Sequence, residues 1–362
     1  MTESGRQLPV SRRAFIATGT ATAATALAGC VGGNGSGSDV LRVSTWSGTN
    51  TAVFKNVIKP KYEEETGNTL EVVGNWSGIV PKIRQSPADD PPFDVTVGGS
   101  RINYRGNQDD LWEPVRYDNL DNSDQIKDRL MQPQAAETAA PVAYGVHAYV
   151  YNKDATTWTP ETWSDIVSDE ASNVTLASGF WLKNLMMAAV IDDSEPLAQE
   201  VYDRENADGL FDIIRDAPTV SFYEGAQDLW TKLEQGIANV GHYFLAYGLA
   251  KAASSEVLNI GVTVPPETTG YTDYYHVVRG SGKRETAEAF LDFLISPELQ
   301  TAYAEEFTLG MANAETEYPE QAQERLPTTN DELSTVGFRD FAKVAEYSSD
   351  LNEQYQQLVQ NN

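Results

Sequence analysis

The sequence predicts an α/β protein built from two domains. Short runs in which every second residue is apolar, typical of strands, alternate along the chain with segments whose apolar residues recur at helical spacing. The part that follows the N-terminal segment, about 320 residues, is longer than one hydrophobic core usually supports. Strands joined by helices favour mostly parallel sheets, which place ligands at the carboxyl ends of their strands.

The first 29 residues have the features of an export signal. Arg12 and Arg13 form a twin-arginine pattern, and the apolar stretch 14–27 is too short to span a bilayer as a helix. It leads into a Leu-Ala-Gly-Cys sequence that resembles a lipobox, and its Cys30 is the only cysteine of the chain. We therefore predict a twin-arginine lipoprotein signal peptide over residues 1–29. Lipidation of Cys30 would anchor the protein at the extracellular face of the cell membrane.

Residues 30–39 comprise this cysteine, Val31 and a stretch rich in glycine and serine that has no means of packing in a core. Such a segment behaves as a flexible coil and would reach roughly 15–18 Å. We expect it to be a tether, with the folded part beginning near Val40.

Acidic residues dominate the composition. The chain has 53 Asp and Glu residues against 26 Lys and Arg, a net charge of −27, and the acids are dispersed along the sequence. No basic stripe is present, which excludes nucleic acid as a partner. With 41% hydrophobic and 10% aromatic residues the chain has enough apolar material for a core. An evenly acidic, lysine-poor surface is typical of haloarchaeal proteins, which stay hydrated in molar salt.

The first hundred residues predict a β-α-β unit and a third strand. A helix is expected to begin after Thr49 or Asn50, either of which could cap it, and to end at Gly67. The expected strands are Val40–Trp46, Thr69–Val73 and Phe93–Val97, the last of them followed by a loop over residues 98–104.

The rest of the folded part continues the alternation. A long strand is predicted over Val142–Tyr151, and a short helix is predicted to begin after Thr159 with Pro160 at its first position. Further strands are expected over Ala238–Phe244, Leu258–Val264 and Tyr274–Val278, and helices over Lys283–Ile295 and from Pro297 onward.

Several segments, taken in order, resemble the spermidine/putrescine-binding branch of the extracellular solute-binding proteins. The resemblance spans nearly all of residues 40–312. The segments are 41–47 (LRVSTWS), 62–67 (YEEETG), 93–97 (FDVTV), 143–152 (AYGVHAYVYN), 162–165 (TWSD), 235–241 (QGIANVG), 270–273 (GYTD) and 287–298 (AEAFLDFLISPE).

This resemblance implies a two-lobed, periplasmic-binding-protein-like (Venus-flytrap) fold with a hinge and an interlobe cleft. Lobe 1 would comprise residues 40–143 and 272–312, and lobe 2 residues 144–271 and 313–362. The protein would act as a monomer that captures a small-molecule solute and delivers it to an ABC permease and ATPase complex. It would need no cofactor and no metal, and it would not be an enzyme.

The resemblance also implies the residues that bind the solute. Trp46, at the end of the first strand, would pack on the solute, and Asp273 would neutralise an ammonium group. Tyr271 stands where the family has a tryptophan, and Trp112 matches a core position. The remaining candidates for the site are Ser47, Trp76, Arg101, Tyr104 and Phe244.

Three positions depart from the polyamine binders. Gly179 and Leu182 stand where these proteins carry further carboxylates, and Arg101 replaces a frequent tyrosine. A cleft with one carboxylate and one guanidinium suits a zwitterion, or an organic cation with an anionic end, better than spermidine. A polyamine-like amine and a thiamine-like cation both remain candidates.

Two other functions stay open as alternatives. A ferric-ion-binding protein of the same fold would use neighbouring tyrosines, but the corresponding segment 242–244 contains only one. A secreted hydrolase would need a base. The histidines His147, His242 and His276 lie outside any zinc or nucleophile motif, and we expect each to be a strand residue with a satisfied hydrogen bond.

Overall fold

A mixed β-sheet runs through the part of the protein that the computed structural model describes, residues 40–193 and 197–361. The predicted leader, Cys30 and the tether lie outside these residues. The strands are β1 Val40–Trp46, β2 Thr69–Asn75, β3 Val95–Gly98, β4 Ala140–Asn152, β5 Val174–Ala177, β6 Thr219–Tyr223, β7 Val240–Phe244, β8 Ile260–Thr263, β9 Thr268–Val277, β10 Gly310–Met311 and β11 Val336–Phe338. The main path of the sheet has the order β2-β1-β3-β9-β4-β7-β5-β6.

Helices pack against this sheet and connect its strands. The α-helices are α1 Thr49–Val53, α2 Lys59–Thr66, α3 Ile79–Gln85, α4 Ser100–Gln108, α5 Pro133–Ala136, α6 Trp181–Ile191, α7 Arg204–Asp216, α8 Ala226–Glu234, α9 Leu245–Ser254, α10 Arg284–Leu294, α11 Pro297–Glu306, α12 Glu320–Gln323, α13 Phe341–Val344 and α14 Ser348–Asn361. A π-helical turn, Phe54–Ile58, joins α1 to α2, and short 3₁₀ turns occur at Tyr117–Asn119, Ser123–Gln125, Asp128–Leu130, Trp163–Val167, Glu200–Tyr202 and Glu332–Thr335.

Two long strands, β4 and β9, connect the two halves of the sheet. Residues 140–146 of β4 pair with β9, whereas residues 147–151 pair with β7. Gly145 lies opposite Tyr271 in this register, and a Cβ at Gly145 would lie only 2.3 Å from the Tyr271 hydroxyl oxygen. The absence of a side chain at Gly145 therefore lets the Tyr271 ring lie across the strand.

The hydrophobic cores divide at the same strands. A first cluster joins β1, β3, the first half of β4, α10 and α11, and a second joins α6, α7 and α14. Within β4, Ala148 belongs to the first cluster and Tyr149 to the second. The result is a two-lobed α/β fold. Apolar side chains between Ala322 and Phe338 pack with the first cluster and those from Phe341 onward with the second, and the predicted lobe bounds stay a prediction.

Local signals in the sequence predicted several elements well. Strand β1 has the predicted bounds, and Gly67 ends the first helical segment in the left-handed conformation with φ of 70°. The expectation that Trp112 is a core residue is confirmed. Its side chain is 1% exposed and stacks on the His276 ring with 4.4 Å between the ring centroids.

Four sequence-based expectations were wrong. The sheet is mixed rather than mostly parallel, because β4 and β9 run antiparallel to their neighbours on the main path. Residues 100–108 form helix α4 rather than a loop, since Gly106 leaves room for the Trp112 ring to pack against the helix. The short helix expected after Thr159 is a 3₁₀ turn capped by Thr162 and Asp165. Strand β9 begins at Thr268, six residues earlier than expected.

Candidate functional site

A cavity of about 350 Å³ opens where several strands of both halves end. Residues at or directly after the carboxyl ends of β1, β3, β7 and β11 line it, as expected for ligand sites in open α/β sheets. Residues lining it are Trp46, Asn50, Trp76, Ser77, Gly99, Ser100, Arg101, Ile102, Phe180, Phe244, Tyr247, Tyr271, Thr272, Asp273, Phe307, Leu309 and Arg339.

A buried carboxylate lies in the wall of this cavity. The Trp46 indole Nε1 donates a hydrogen bond of 2.8 Å to Oδ1 of Asp273, which is only 3% exposed. Burial raises the pKa of Asp273 to about 7, although the bond from Trp46 and the charge of Arg339 oppose the shift. At neutral pH the carboxyl group is therefore poised between its charged and neutral forms.

Aromatic rings form most of the remaining wall. Trp76, whose side chain is 46% exposed, lies edge-on to Trp46 with 5.8 Å between the ring centroids. The network continues through the ring pairs Trp76–Tyr247 (6.0 Å), Tyr247–Phe307 (5.2 Å), Phe244–Tyr247 (6.2 Å), Phe180–Phe244 (6.0 Å) and Phe244–Tyr271 (5.0 Å). Such a wall buries the apolar body of an organic ligand and attracts an organic cation.

Two arginines face the same space. Arg101, in the first turn of α4, lies over the Phe341 ring at 5.6 Å. Arg339 directly follows β11, and its guanidinium lies 5.6 Å from the centroid of the Tyr271 ring. Burial lowers the pKa of both groups.

The structure brings six of the eight predicted site residues together. They are Trp46, Trp76, Arg101, Phe244, Tyr271 and Asp273. Ser47 does not line the cavity, because the turn after β1 directs its backbone N–H to the carbonyl of Asn75 at 3.2 Å. Tyr104 does not line it either, since its ring packs on Phe341 in the second core cluster. Solute binding by the six residues stays a prediction.

Besides Ser100 and Ile102, which flank Arg101, and Thr272, which lies in the 270–273 motif, sequence reasoning missed seven lining side chains. Tyr247 follows Phe244 by three residues at the start of α9, a spacing that could have revealed it. Phe180 adjoins Gly179, which stands where polyamine binders carry a carboxylate. Asn50, Ser77, Phe307, Leu309 and Arg339 belong to no motif that pointed to the site.

The three histidines are fully buried strand residues. Nδ1 of His147 lies 2.6 Å from the Thr269 hydroxyl, and Nδ1 of His276 lies 3.2 Å from the Thr138 carbonyl. The expectation of a satisfied hydrogen bond was wrong for His242, because neither of its ring nitrogens has a partner among the described residues. Burial lowers the pKa of His242, which favours the neutral ring.

Hard oxygen donors do not converge in the described segments. These contain no group of three or more His, Cys, Asp or Glu side chains that could hold a metal ion. The hydroxyls of Tyr274 and Tyr275 point to different partners, the Leu130 carbonyl at 3.3 Å and the Thr45 hydroxyl at 2.8 Å.

Comparison with known proteins gives a family and a fold. The family of bacterial extracellular solute-binding proteins matches residues 58–331 of the chain. No curated protein sequence matches this chain. No helix in residues 40–193 and 197–361 is long and apolar enough to cross a membrane.

Solved structures of binding proteins share the architecture at low sequence identity. An ABC transporter substrate-binding protein from Bradyrhizobium japonicum superposes with a TM-score of 0.75 at 14% identity, covering 88% of this chain and 99% of that one. The spermidine/putrescine ABC transporter substrate-binding protein PotD from Streptococcus pneumoniae gives 0.70 at 18% identity, with coverage of 88% and 99%. The binding protein AgtB from A. tumefaciens, in complex with agropinic acid, gives 0.68 at 16%, with 89% and 99%.

These likenesses establish the two-lobed periplasmic-binding-protein fold, and the family match covers most of the chain. The protein belongs to the family of bacterial extracellular solute-binding proteins.

Proposed function

We propose that this protein is the extracytoplasmic substrate-binding component of an ABC transporter. It captures a small organic solute, cationic or zwitterionic, in the cavity between its lobes and delivers it to a membrane permease and its ATPase. The observation that carries this proposal is the buried Asp273 carboxylate, hydrogen-bonded to the half-buried Trp46, in a wall of aromatic rings. Strands β4 and β9 act as the hinge, because they are shared by both halves of the sheet.

The chemistry of the wall supports an organic solute with an ammonium or similar cationic group. A buried carboxylate is costly unless it has a charged partner, and the described residues form no ion pair with Asp273. A solute cation would supply that partner while the rings of Trp46 and Trp76 enclose it. Polyamine-like and thiamine-like solutes both meet these requirements, and the relative from S. pneumoniae is named for spermidine and putrescine.

A thermal-shift screen tests the proposal. The purified protein is mixed with amines, thiamine, amino-acid-like zwitterions and ferric ion, and its melting temperature is recorded. A bound solute stabilises the folded state by about 2.7 kcal/mol at a hundredfold excess over the dissociation constant. Stabilisation by ferric ion alone would favour the metal-binding alternative, and conversion of a solute to product would favour the hydrolase.

We also propose that Cys30 carries a lipid that holds the protein at the cell surface. Replacing Cys30 with Ser is expected to release the protein from membranes, because the attachment site of the acyl chains is lost. Membrane and soluble fractions are compared by immunoblot, with Ser38→Ala in the tether as the control. Full retention of the Cys30→Ser variant in the membrane fraction would contradict the anchor.

A further inference from the structure

The cavity differs in charge from the rest of the protein. Over the whole chain acidic residues outnumber basic ones by 53 to 26, yet the charged residues that line the cavity are two arginines and one aspartate. The lining of the cavity therefore carries more basic than acidic side chains, unlike the chain as a whole.

Arg339 is the strongest element of this feature. Its Nε is buried without a hydrogen-bond partner, and the guanidinium makes no side-chain hydrogen bond or ion pair with the described residues. A guanidinium has five N–H donors, and leaving them unpaired away from water is costly. Asp273 interacts with Arg339 through its charge but forms no hydrogen bond with it, so that the N–H groups of Arg339 remain available to a ligand.

Arg101 also lines the cavity. Its guanidinium packs over Phe341, two residues beyond Arg339 in the chain, and it too has no ion pair among the described residues. The side chain is exposed, so that it can reach a ligand in the cavity by a change of rotamer. Both guanidiniums therefore line the cavity and pack on aromatic rings without an ion pair among the described residues.

A third basic side chain lies behind the aromatic wall. Nζ of Lys183 is 5.3 Å from the Phe180 ring centroid and 5.7 Å from that of Phe244, and it hydrogen-bonds the Tyr223 hydroxyl at 2.9 Å. No acidic partner accompanies it in the described part of the chain. Burial lowers the pKa of Lys183 well below its usual range and disfavours its charged form, so that the two arginines carry the positive charge of the cavity.

We infer that the solute carries a carboxylate, which Arg339 and Arg101 bind in a positive subsite, while its ammonium group faces Asp273. This inference rests on the proposed function and narrows it from organic cations to zwitterions. A planar guanidinium matches a carboxylate by two parallel hydrogen bonds, and the pair is strongest in a site shielded from water.

Two matched sets of probes test the subsite by isothermal titration calorimetry. Phenylalanine, phenethylamine and 3-phenylpropionate share an aromatic body, whereas 5-aminopentanoate, pentylamine and pentanoate share a flexible chain. Within at least one set we expect the zwitterion to bind most tightly. The amine, which lacks the carboxylate, should bind much more weakly than the zwitterion. Arg339→Gln should weaken binding of that zwitterion about 30-fold, or about 2 kcal/mol, and should leave the weak binding of the amine unchanged.

Three further variants separate charge, geometry and folding. Arg339→Lys keeps the charge and should restore part of the affinity, and Arg101→Gln, at an exposed position, should weaken binding about tenfold without lowering the melting temperature. Arg325→Gln removes the same charge from an exposed residue outside the cavity and should change nothing.

The outcomes distinguish the carboxylate subsite from the proposed function in solute capture. Amines that bind as tightly as the zwitterions, with equal affinity in the Arg339→Gln variant, would overturn the carboxylate subsite and leave the proposed function standing. Zwitterions whose binding is insensitive to both arginine variants would also overturn it. Failure of all six probes to bind would count against both proposals.

Discussion

The Asp273→Asn variant is expected to lose about 2–5 kcal/mol of binding free energy toward an ammonium-bearing solute. The solute cation would be desolvated in the closed cavity without the carboxylate that neutralises it. Asparagine keeps the shape of the side chain and an oxygen that can accept the bond from the Trp46 indole, so that the wall of the cavity is preserved. Calorimetry on the wild type and the variant measures the difference.

Trp46 provides a comparison within the same pair. Trp46→Phe keeps an aromatic face but removes the N–H donor, and we expect a smaller loss than in Asp273→Asn because a cation–π contact contributes about 0.5–2 kcal/mol. Equal affinity of the wild type and Asp273→Asn for every cationic and zwitterionic solute would refute the role of this carboxylate.

The same carboxylate predicts how binding depends on pH. Burial raises the pKa of Asp273 to about 7, so that the ligand-free protein holds a proton there below neutrality. An ammonium group binds to the charged form and must displace this proton. The dissociation constant should therefore rise by up to about tenfold for each unit of pH below 7, and stay level above it. The Asp273→Asn variant should show a flat profile.

The stability of the ligand-free protein should change with pH in the opposite direction to its affinity for the solute. A carboxyl group whose pKa is higher in the folded than in the unfolded protein stabilises the fold while it is protonated, fully so below about pH 4. This contribution is lost as the pH rises through about 7. The ligand-free wild type should thus lose stability relative to Asp273→Asn between these limits, as measured by the midpoint of denaturant unfolding.

Low salt is expected to unfold the protein. The chain carries a net charge of −27, and its acids repel one another over a distance set by the Debye length, about 3 Å in 1 M salt and about 10 Å in 0.1 M. Dilution from molar salt should therefore raise the free energy of the folded state until the fold is lost. Circular dichroism across a series of salt concentrations follows the transition.

A neutral osmolyte serves as the control for this experiment. Sucrose stabilises folded proteins without screening charge, so that it should restore less structure than sodium chloride does. An unchanged spectrum in 0.1 M salt would contradict the interpretation of the acidic composition as an adaptation to high salt.

The sequence alone determined the local elements and part of the site. Alternation placed β1 with its observed bounds, and the glycine at position 67 marked the end of the helical segment that follows. Trp46 and Asp273 were predicted to meet although they are 227 residues apart, and the structure joins them by a hydrogen bond. That prediction came from ordered family motifs, since no periodicity relates positions so distant.

Only the tertiary structure revealed the second guanidinium of the cavity. Arg339 belongs to no motif, and it reaches the site because β11 pairs with β9 and brings the C-terminal segment beside Tyr271. Tyr104 was expected at the cavity but packs in the second core, since its helix α4 lies against α13. Periodicity reports which face of an element is buried, whereas the neighbours of that face depend on long-range pairing. Composition described an acidic protein, and long-range packing placed two arginines around its cavity.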